Sequence, residues 1–413
     1  HELFKAMDAA RWGVNEYDVY EPIDTEDHPE YFESGAITPP RPMDASDPDV
    51  PGLGEGRVFR TLFIDTPRFL AELVDDIDRL GGERVRTVHR AVVVDPATGA
   101  ERAVAVKVQY PGVGDAVAAD LRNADLLGVI LQQGFGGLNP DDMVAEIKER
   151  LSEELDYTLE ARNQQAFADF YRGHPFIHVP EVLPTLSTPR VLTSELVNGH
   201  DWQALGAWPQ EQKDLAGETL FRFVFRSLYG MHAFNGDPHP GNYLFHGDGR
   251  VTFLDFGLVK HFSEAEMRTF VGMVKAAAYD HDRACFRRIV EDAGMLRPGC
   301  PAPDDEVGEY FSQFYESVRH DREVTWSSEY ASRIVRHTFD RTSPIAQFAT
   351  VPRAFVFIQR INLGLYALLG ELGASGNYRR MAEELWPFVG GPPSTSLAEQ
   401  EQAWLAAAPL RPH

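Results

Sequence analysis

The sequence of 413 residues contains few cysteines and few basic side chains for its length. Cys285 and Cys300 are its two cysteines, so no disulfide framework holds the fold together, and we expect a reducing, intracellular compartment, either cytoplasm or an organelle matrix. Lysine and arginine number 39 against 63 acidic side chains. The resulting formal net charge of −24 argues against a nucleic-acid-binding protein and against broad adhesion to anionic lipid.

Long uncharged apolar runs are also missing from the sequence. No stretch of about 18 residues is apolar and free of charge, so the sequence predicts no membrane-spanning helix. The most apolar late stretch, residues 354–369, has Gln359 and Arg360 in its middle. The chain begins with His1-Glu2-Leu3-Phe4, which contains neither an initiator methionine nor a basic-then-apolar leader pattern, and we interpret it as part of a longer protein.

The remaining composition is that of a folded protein. At 43% hydrophobic and 11% aromatic residues the chain can bury a substantial core, which excludes a wholly disordered chain. Residues 1–60 are acidic and punctuated by prolines, and we expect an extension that buries little. We predict two lobes over residues 61–197 and 198–390, followed by a tail over 391–413.

Hydrophobic periodicity and turn residues predict a front half that contains strands and a back half that is mainly helical. Residues 85–94 and 103–109 form the first predicted hairpin, and residues 243–245 and 251–254 form the second. A further strand is predicted over residues 191–197. Helices are predicted over 69–77, 115–132, from Asn139-Pro140 to Leu159, over 215–234, and over most of the chain after Ser263.

Lys107 lies in the second strand of the first predicted hairpin. In a strand, Val104, Val106 and Val108 share one face, whereas Ala105 and Lys107 share the other. A small side chain beside a cation suits a flat base next to a phosphate. The alternative interpretation is an edge strand that carries a solvated lysine.

Two short motifs later in the chain add oxygen ligands. The first is Asp237-Pro238-His239-Pro240-Gly241-Asn242, and the second, across the second hairpin, is Asp255-Phe256-Gly257. Phosphoryl transfer needs a lysine on the non-transferred phosphates, oxygen ligands for magnesium and a carboxylate near the incoming hydroxyl or water. Lys107, Asp237, Asn242 and Asp255 supply these groups in the order that kinase folds use. Taken alone, each motif also fits an ordinary turn.

An acidic segment supplies candidates for a carboxylate that holds Lys107. On a helix, Asp156 and Glu160 are one turn apart and share a face, whereas Glu154 lies elsewhere on the circumference. The alternative is a solvated acidic face. His239 lies between two prolines, and we expect it to make a backbone hydrogen bond that shapes its loop rather than to act as a metal ligand or general base.

Taken together, these segments resemble the UbiB/AarF/ADCK-like atypical kinase family. The resemblance implies an α+β, two-lobed, protein-kinase-like fold, with a small antiparallel-sheet N-lobe and a mainly helical C-lobe. The matching stretches are VAVKVQYPG (104–112), ELDYTLEARN (154–163), SELVNG (194–199), DPHPGN (237–242) and LDFG (254–257).

The resemblance also implies a role for each candidate residue, with ATP and Mg²⁺ as cofactors. Lys107 and Asp237 correspond to the phosphate-binding lysine and the catalytic aspartate. Glu160 corresponds to the lysine's helix partner, and Glu154 and Asp156 to a Glu-x-Asp element. Asn242 and Asp255 correspond to the metal ligands. Ala105 would contact the base, and Gly81 and Gly82 can bring backbone near a phosphate.

The chain departs from the family in two places. It contains no Lys-x-Gly-Gln signature, and Gly81-Gly82-Glu83-Arg84 stands where the family has an alanine-rich loop. The function that the resemblance implies is an ATPase or phosphotransferase linked to isoprenoid-quinone or lipid metabolism. Its alternatives are an aminoglycoside- or choline-kinase-like small-molecule phosphotransferase and a nucleotide-binding pseudokinase scaffold.

The expected partner is a small-molecule or lipid-derived substrate and not a nucleic acid. A peripheral membrane contact through the apolar residues of the helical tail stays open, although core packing is the favoured interpretation for them. These residues are Phe355, Phe357, Ile358, Ile361 and Leu365.

Overall fold

The structure is a computed structural model that describes residues 14–22, 41–44, 56–64, 88–94, 99–109, 156–339, 343–350 and 352–407. The chain divides into two units, one made of His1–Arg86 with Val129–Gly136 and the other of Thr87–Gly128 with Gly137–His413. The helices predicted over 69–77 and 115–132, and most of the one predicted after Pro140, lie outside the described residues. The division into an extension, two lobes and a tail stays a prediction.

The first unit contains a three-stranded antiparallel sheet. Its strands are β1 (Val14–Pro22), β2 (Arg41–Pro42) and β3 (Gly56–Ile64), in the order β1-β3-β2. β1 pairs with β3 along its whole length, from Val14 opposite Ile64 to Pro22 opposite Gly56. The prolines lie at the end of β1 and in the short outer strand β2, where a missing N–H costs the sheet little. A stretch expected to bury little therefore contains paired strands.

A second three-stranded antiparallel sheet carries Lys107. It consists of β4 (Val88–Val94), β5 (Glu101–Val108) and β7 (Val191–Glu195), in the order β4-β5-β7. The first predicted hairpin is therefore confirmed, and the strand predicted over 191–197 is confirmed but ends at Glu195. Val104 is fully buried on one face of β5, so Lys107 and Ala105 lie on the other.

Helix α1 (Tyr157–Phe170) is the element that brings Glu160 to this sheet. The prediction that Asp156 shares a helical face with Glu160 is wrong, because Asp156 is the N-cap of α1 and has extended backbone dihedrals. Its carboxylate accepts the N–H of Thr158 and so satisfies a donor that the helix leaves free, a role that aspartate fills well. Glu160, Asn163 and Phe167 form the buried side of α1.

Helix α2 (Gln210–Met231) leads into the loop that begins at Asp237. It ends three residues before the predicted Phe234, because His232 adopts a left-handed conformation with φ of 50°. Residues Ala233–Asn235 form β8 instead, which pairs antiparallel with β11 (Val259–His261).

The second predicted hairpin is confirmed between these two strands. It consists of β9 (Tyr243–Phe245) and β10 (Val251–Phe253). β6 (Ile177–His178) adds to β10 in parallel. Asn242 directly precedes β9, and Asp255 follows two residues after β10. Because β9 and β10 pair antiparallel, the two motifs lie at the same end of the hairpin.

After β11 the described chain is mainly helical, as predicted, which confirms the α+β fold class. The helices are α3 (Glu264–Val274), α4 (Arg283–Asp292), α5 (Asp304–Phe311), α6 (Glu316–Arg319), α7 (Ser328–Phe339), α8 (Arg353–Leu372), α9 (Tyr378–Leu385) and α10 (Ser396–Ala407). A π-helical turn over Lys275–Tyr279 and the short strands β12 (Val324–Thr325) and β13 (Ser375–Gly376) interrupt them.

Aromatic side chains join these elements behind the site. Phe223 of α2 stacks on Phe253 of β10 at a centroid distance of 3.6 Å. Phe167 of α1 lies 4.8 Å from Phe256, which is completely buried. Each ring buries a large apolar area, so α1, α2 and β10 pack as one block around Phe256.

Helix α8 contains the apolar residues considered for a membrane contact. Among the described residues, its window Phe355–Leu372 is long and apolar enough to cross a membrane, but 56% of that window is buried inside the protein. Phe355, Phe357, Ile361 and Leu365 are all buried, and Ile358 is half-buried. Core packing is therefore confirmed for the four buried residues, and a peripheral membrane contact stays a prediction.

A buried ionic cluster lies where α2, α9 and α10 meet. The Arg222 guanidinium is completely buried and pairs with Glu218 at 2.7 Å, Glu384 at 2.8 Å and Glu401 at 3.0 Å. Burial opposes the charge of Glu401, but hydrogen bonds from His174 and Arg226 hold the pKa of its carboxyl well below the usual range. A buried cation is tolerable only with such partners.

The buried imidazole of His174 makes folding sensitive to pH. Burial lowers the pKa of His174, so the unfolded chain binds a proton on this imidazole more tightly than the folded chain does. The folded state is therefore destabilised relative to the unfolded state as the pH falls below about 6.5. We expect His174→Asn to flatten the pH dependence of the unfolding free energy between pH 6.5 and 5 by up to about 1.4 kcal/mol per pH unit. Urea unfolding at several pH values measures it. His178→Asn, at an exposed position, is the control, and parallel curves for H174N and the parent would contradict the assignment.

Candidate active site

Three elements that are far apart in sequence meet at the Lys107 ammonium. Lys107 Nζ on β5 donates to both carboxylate oxygens of Glu160 on α1, at 2.8 and 2.9 Å. It also donates to Asp255 Oδ2, after β10, at 3.2 Å. The contact that the resemblance implied between Lys107 and Glu160 is therefore present, and Asp255 joins it.

The cluster is partly withdrawn from water. Burial would lower the pKa of Lys107, but the carboxylates of Glu160 and Asp255 outweigh it and raise that pKa. Burial raises the pKa of Glu160, and the Lys107 ammonium partly offsets the rise. The ring of Tyr157, the first residue of α1, lies 5.2 Å from Lys107 Nζ and adds a cation–π contact. The ammonium is thus held protonated and fixed in direction.

Two asparagines that sequence reasoning missed hold the Asp255-Phe256-Gly257 backbone. Asn235 Nδ2 donates to the Asp255 carbonyl at 2.6 Å, and Asn163 Nδ2 donates to the Phe256 carbonyl at 3.2 Å. Both side chains are buried. The amide N–H of Gly257 donates to Asp255 Oδ1 at 2.9 Å and fixes the carboxylate in turn. Asn163 lies one turn after Glu160 on the same helix, and this spacing was the available signal.

The two oxygen-bearing motifs lie side by side. Asn242 Nδ2 donates to Asp237 Oδ2 at 2.9 Å and to the Asp237 carbonyl at 3.2 Å. The backbone N–H of Leu254 donates to the Asn242 carbonyl at 3.0 Å, which brings Asp255 next to this loop. Asn235 also accepts the Asp237 N–H at 3.4 Å, so one amide side chain contacts both motifs.

The loop itself is shaped by its own residues and by α8. His239 Nδ1 accepts the N–H of Gly241 at 3.1 Å, so His239 makes the backbone hydrogen bond expected of it. Pro238 packs against Gly364 of α8, at a point where a Cβ on residue 364 would overlap the proline ring. Gly364 was not predicted, because a close approach between distant segments leaves no local signal.

The donor set suits magnesium. Because the Asn242 amide nitrogen binds Asp237, the amide oxygen is the atom that Asn242 can offer a cation, and Asp255 can add a carboxylate oxygen. No group of three histidine, cysteine or acidic residues that could hold a metal occurs in the described part of the chain. Magnesium commonly binds one or two protein oxygens and takes the rest from substrate phosphates and water, so the residues fit it.

The remaining predicted residues are placed as follows. Ala105 is half-buried on the Lys107 face of β5, opposite Arg90 in β4 and Ser194 in β7. Asp156 caps α1. Gly81, Gly82 and Glu154 lie outside the described residues.

An apolar surface accompanies Lys107 on its face of the sheet. Val88 lies opposite Lys107, and Val92 lies opposite Ala103, so both valines share that face. They are 53% and 58% exposed. Exposed valines beside a fixed ammonium form a surface on which a flat apolar group can lie.

Comparisons with known proteins find relatives of this chain. The family model described as the ABC1 atypical kinase-like domain matches residues 85–290. The chain is 37% identical over 198 residues to the chloroplastic protein ACTIVITY OF BC1 COMPLEX KINASE 1 of Arabidopsis thaliana, covering 45% of this chain and 28% of that protein. It is 30% identical over 293 residues to the mitochondrial atypical kinase COQ8 of Saccharomyces cerevisiae, covering 69% of this chain and 61% of that protein. The chain thus spans less than two thirds of either relative.

A solved structure is also similar. It is the complex of Rv3197 with erythromycin from Mycobacterium tuberculosis, which shares 28% identity and a TM-score of 0.60, covering 75% of this chain and 76% of that chain. The resemblance to atypical kinases and the protein-kinase-like fold class that it implied are confirmed by these matches.

Asn235 provides a test of how the site is held. We expect Asn235→Ala to lower the unfolding free energy by about 1–3 kcal/mol, because the Asp255 carbonyl loses its buried donor. Urea denaturation measures this. Asn198→Ala, which removes an exposed contact with Arg90, is the control and should change stability by less than about 0.5 kcal/mol. Equal effects of the two substitutions would show that Asn235 does not support the loop.

Proposed function

We propose that the protein binds Mg-ATP and transfers or hydrolyses its γ-phosphate, because residues 85–290 match the family model of the ABC1 atypical kinase-like domain. The observation that carries the proposal is the ammonium of Lys107, held by both oxygens of Glu160 and by Asp255. In kinase folds, a lysine held by a helix glutamate contacts the non-transferred phosphates. A lysine with a merely structural role needs no such convergence of three elements.

The sheet surface supports a nucleotide as the ligand. Val88, Val92 and Ala105 lie on the same face as Lys107 and would pack on a base while the ammonium contacts the phosphates. A ligand with a flat apolar group and an anionic tail matches this surface, because the apolar group can contact the valines while the tail contacts the ammonium.

Asn242 and Asp255 would hold the magnesium ion, which supplies positive charge that stabilises the phosphate oxygens when bound. Asp237 is the candidate base, because its carboxylate is available to accept a proton from an incoming hydroxyl or water. The Asn242 amide binds Asp237 Oδ2, so it fixes the direction in which the other carboxylate oxygen points. Lys107 and Glu160 orient the nucleotide and take no part in proton transfer.

The acceptor that we propose is a small-molecule or lipid-derived substrate, with isoprenoid-quinone metabolism as the setting. One relative is named a mitochondrial atypical kinase and the other a chloroplastic BC1 complex kinase, which supports an organelle or equivalent intracellular compartment. No Ala-Pro-Glu element follows Asp255-Phe256-Gly257 in the sequence, so the segment that binds peptides in conventional protein kinases has no counterpart by motif. A peripheral membrane contact would suit a lipid-derived acceptor.

Asp255→Asn should abolish magnesium-dependent nucleotide binding. The substitution removes the charged oxygen ligand and weakens the hold on Lys107, because an amide does not carry the compensating charge. Titration calorimetry with ATP, with and without Mg²⁺, measures the loss. Asp248→Asn, in the exposed turn of the hairpin between the two motifs, is the matched control. Parental Mg-ATP affinity in D255N would refute the metal assignment.

Asp237→Asn should leave nucleotide binding intact and slow turnover by about 10²–10⁴-fold, because it removes the base while preserving the shape of the loop. A phosphate-release assay with candidate lipids and quinone precursors measures turnover, and calorimetry measures binding. Unchanged turnover would exclude Asp237 as the base. If the parent bound Mg-ATP without any turnover, the pseudokinase alternative would replace the proposal.

A further inference from the structure

Glu401, in the C-terminal helix α10, is buried against two other elements. Its side chain is 2% exposed. Oε2 accepts from Arg222 Nη1 of α2 at 3.0 Å, and Oε1 accepts from Arg226 Nε of the same helix at 2.9 Å. Oε1 also lies 3.5 Å from His174 Nε2, in the turn that follows α1. One carboxylate thus joins α2 and the end of α1.

His174 also contacts the backbone that follows it. Its Nδ1 accepts the backbone N–H groups of Phe176 and Ile177, at 3.3 and 3.0 Å. Its neutral ring therefore carries the hydrogen on Nε2, which faces Glu401. The turn connects α1 to β6, and β6 pairs with β10, the strand before Asp255. The position of His174 consequently sets both the end of α1 and the start of β6.

Trp404, one turn after Glu401 on α10, contacts the same turn. Its Nε1 donates to the Arg172 carbonyl at 3.1 Å. Its ring lies 4.5 Å from the His174 ring and stacks on Tyr171 at 6.4 Å. The indole thus contacts Tyr171, Arg172 and His174, in the segment that follows α1.

We propose that Glu401 and Trp404 are positioning residues that hold α1 where Glu160 reaches Lys107. The inference rests on the proposed function, because in kinase folds the place of the glutamate helix controls whether the lysine is held. Glu160 and Phe170 lie about 15 Å apart along α1, and the backbone hydrogen bonds of this uninterrupted helix connect the two positions. A shift at the Trp404 end therefore moves Glu160 at the other end.

Contacts along α1 carry the same coupling into the site. Phe167, between Glu160 and the Trp404 contacts, packs on Phe256, and Asn163 holds the Phe256 carbonyl. Arg222, which Glu401 binds, precedes Phe223, and Phe223 stacks on Phe253 just before Asp255. A change in the position of α10 is thus expected to displace both Glu160 and Asp255, the two carboxylates that bind Lys107.

Amide hydrogen exchange of the full chain, without nucleotide, tests the proposal directly. We expect Trp404→Ala to speed exchange in residues 160–166, at the far end of α1, by about tenfold, because the helix loses its anchor. Glu401→Gln, which keeps the shape of the side chain, should do the same to a smaller extent. Trp404→Phe keeps a ring and should restore most of the protection. Leu405→Ala, at an exposed position on the same helix, is the control and should leave exchange in α1 unchanged.

A change confined to residues 171–177 and to α10 would overturn the proposal, since it would mean that α10 stabilises its surroundings without positioning Glu160. Because the exchange experiment contains no nucleotide, its result does not depend on whether the protein has ATPase activity. Failure of the proposed function would appear separately, as a parent chain that does not bind Mg-ATP.

Turnover gives a second readout that distinguishes positioning from general stability. We expect Trp404→Ala to lower phosphate release by about tenfold in the parent and to have little further effect in a Glu160→Gln background, because both changes disrupt the same contact. Equal losses in the two backgrounds would contradict action through Glu160. Leu405→Ala should leave turnover unchanged in both.

Discussion

The described site depends on a single ammonium group that two carboxylates from different elements share. Lys107 comes from a strand, Glu160 from a helix and Asp255 from the segment after a hairpin. Each of the three charges is partly withdrawn from water, so removing one of them leaves its partners without compensation in a partly buried position. The same cluster that stabilises the sheet against α1 also orients a cation toward the face on which Val88 and Ala105 lie.

Around this cluster, neutral amides control the backbone. Asn163, Asn235 and Asn242 each use a side-chain nitrogen to bind a carbonyl or carboxylate of a motif residue. Such bonds fix the position of a carboxylate without adding charge that would compete with a metal ion or a phosphate. The aromatic block of Phe167, Phe223 and Phe253 lies behind them and keeps this layer from moving independently of the helices.

Much of this arrangement could be predicted from the sequence, because local patterns specify it. Alternation and turn residues predicted both hairpins, and the Lys107–Glu160 contact followed from the family resemblance. The sequence could not reveal contacts whose partners are distant and whose signal is one side chain, such as Asn235 or Gly364. The end of α2 was missed because His232 is not a glycine yet adopts a left-handed conformation. Asp156 was placed in the helix because acidic spacing alone does not distinguish a cap from a first turn.

Pro238 packs against Gly364, and this contact joins the aspartate loop to a helix much later in the chain. Every residue assigned to chemistry precedes position 260, whereas the glycine that makes room for the aspartate loop comes much later in the chain. A polypeptide emerging from the ribosome therefore carries all its reactive groups before the surface that shapes their loop has been synthesised. The contact between Pro238 and Gly364 joins segments that are distant in sequence, so it cannot form before α8 has been synthesised, whereas the two hairpins join residues that are near in sequence.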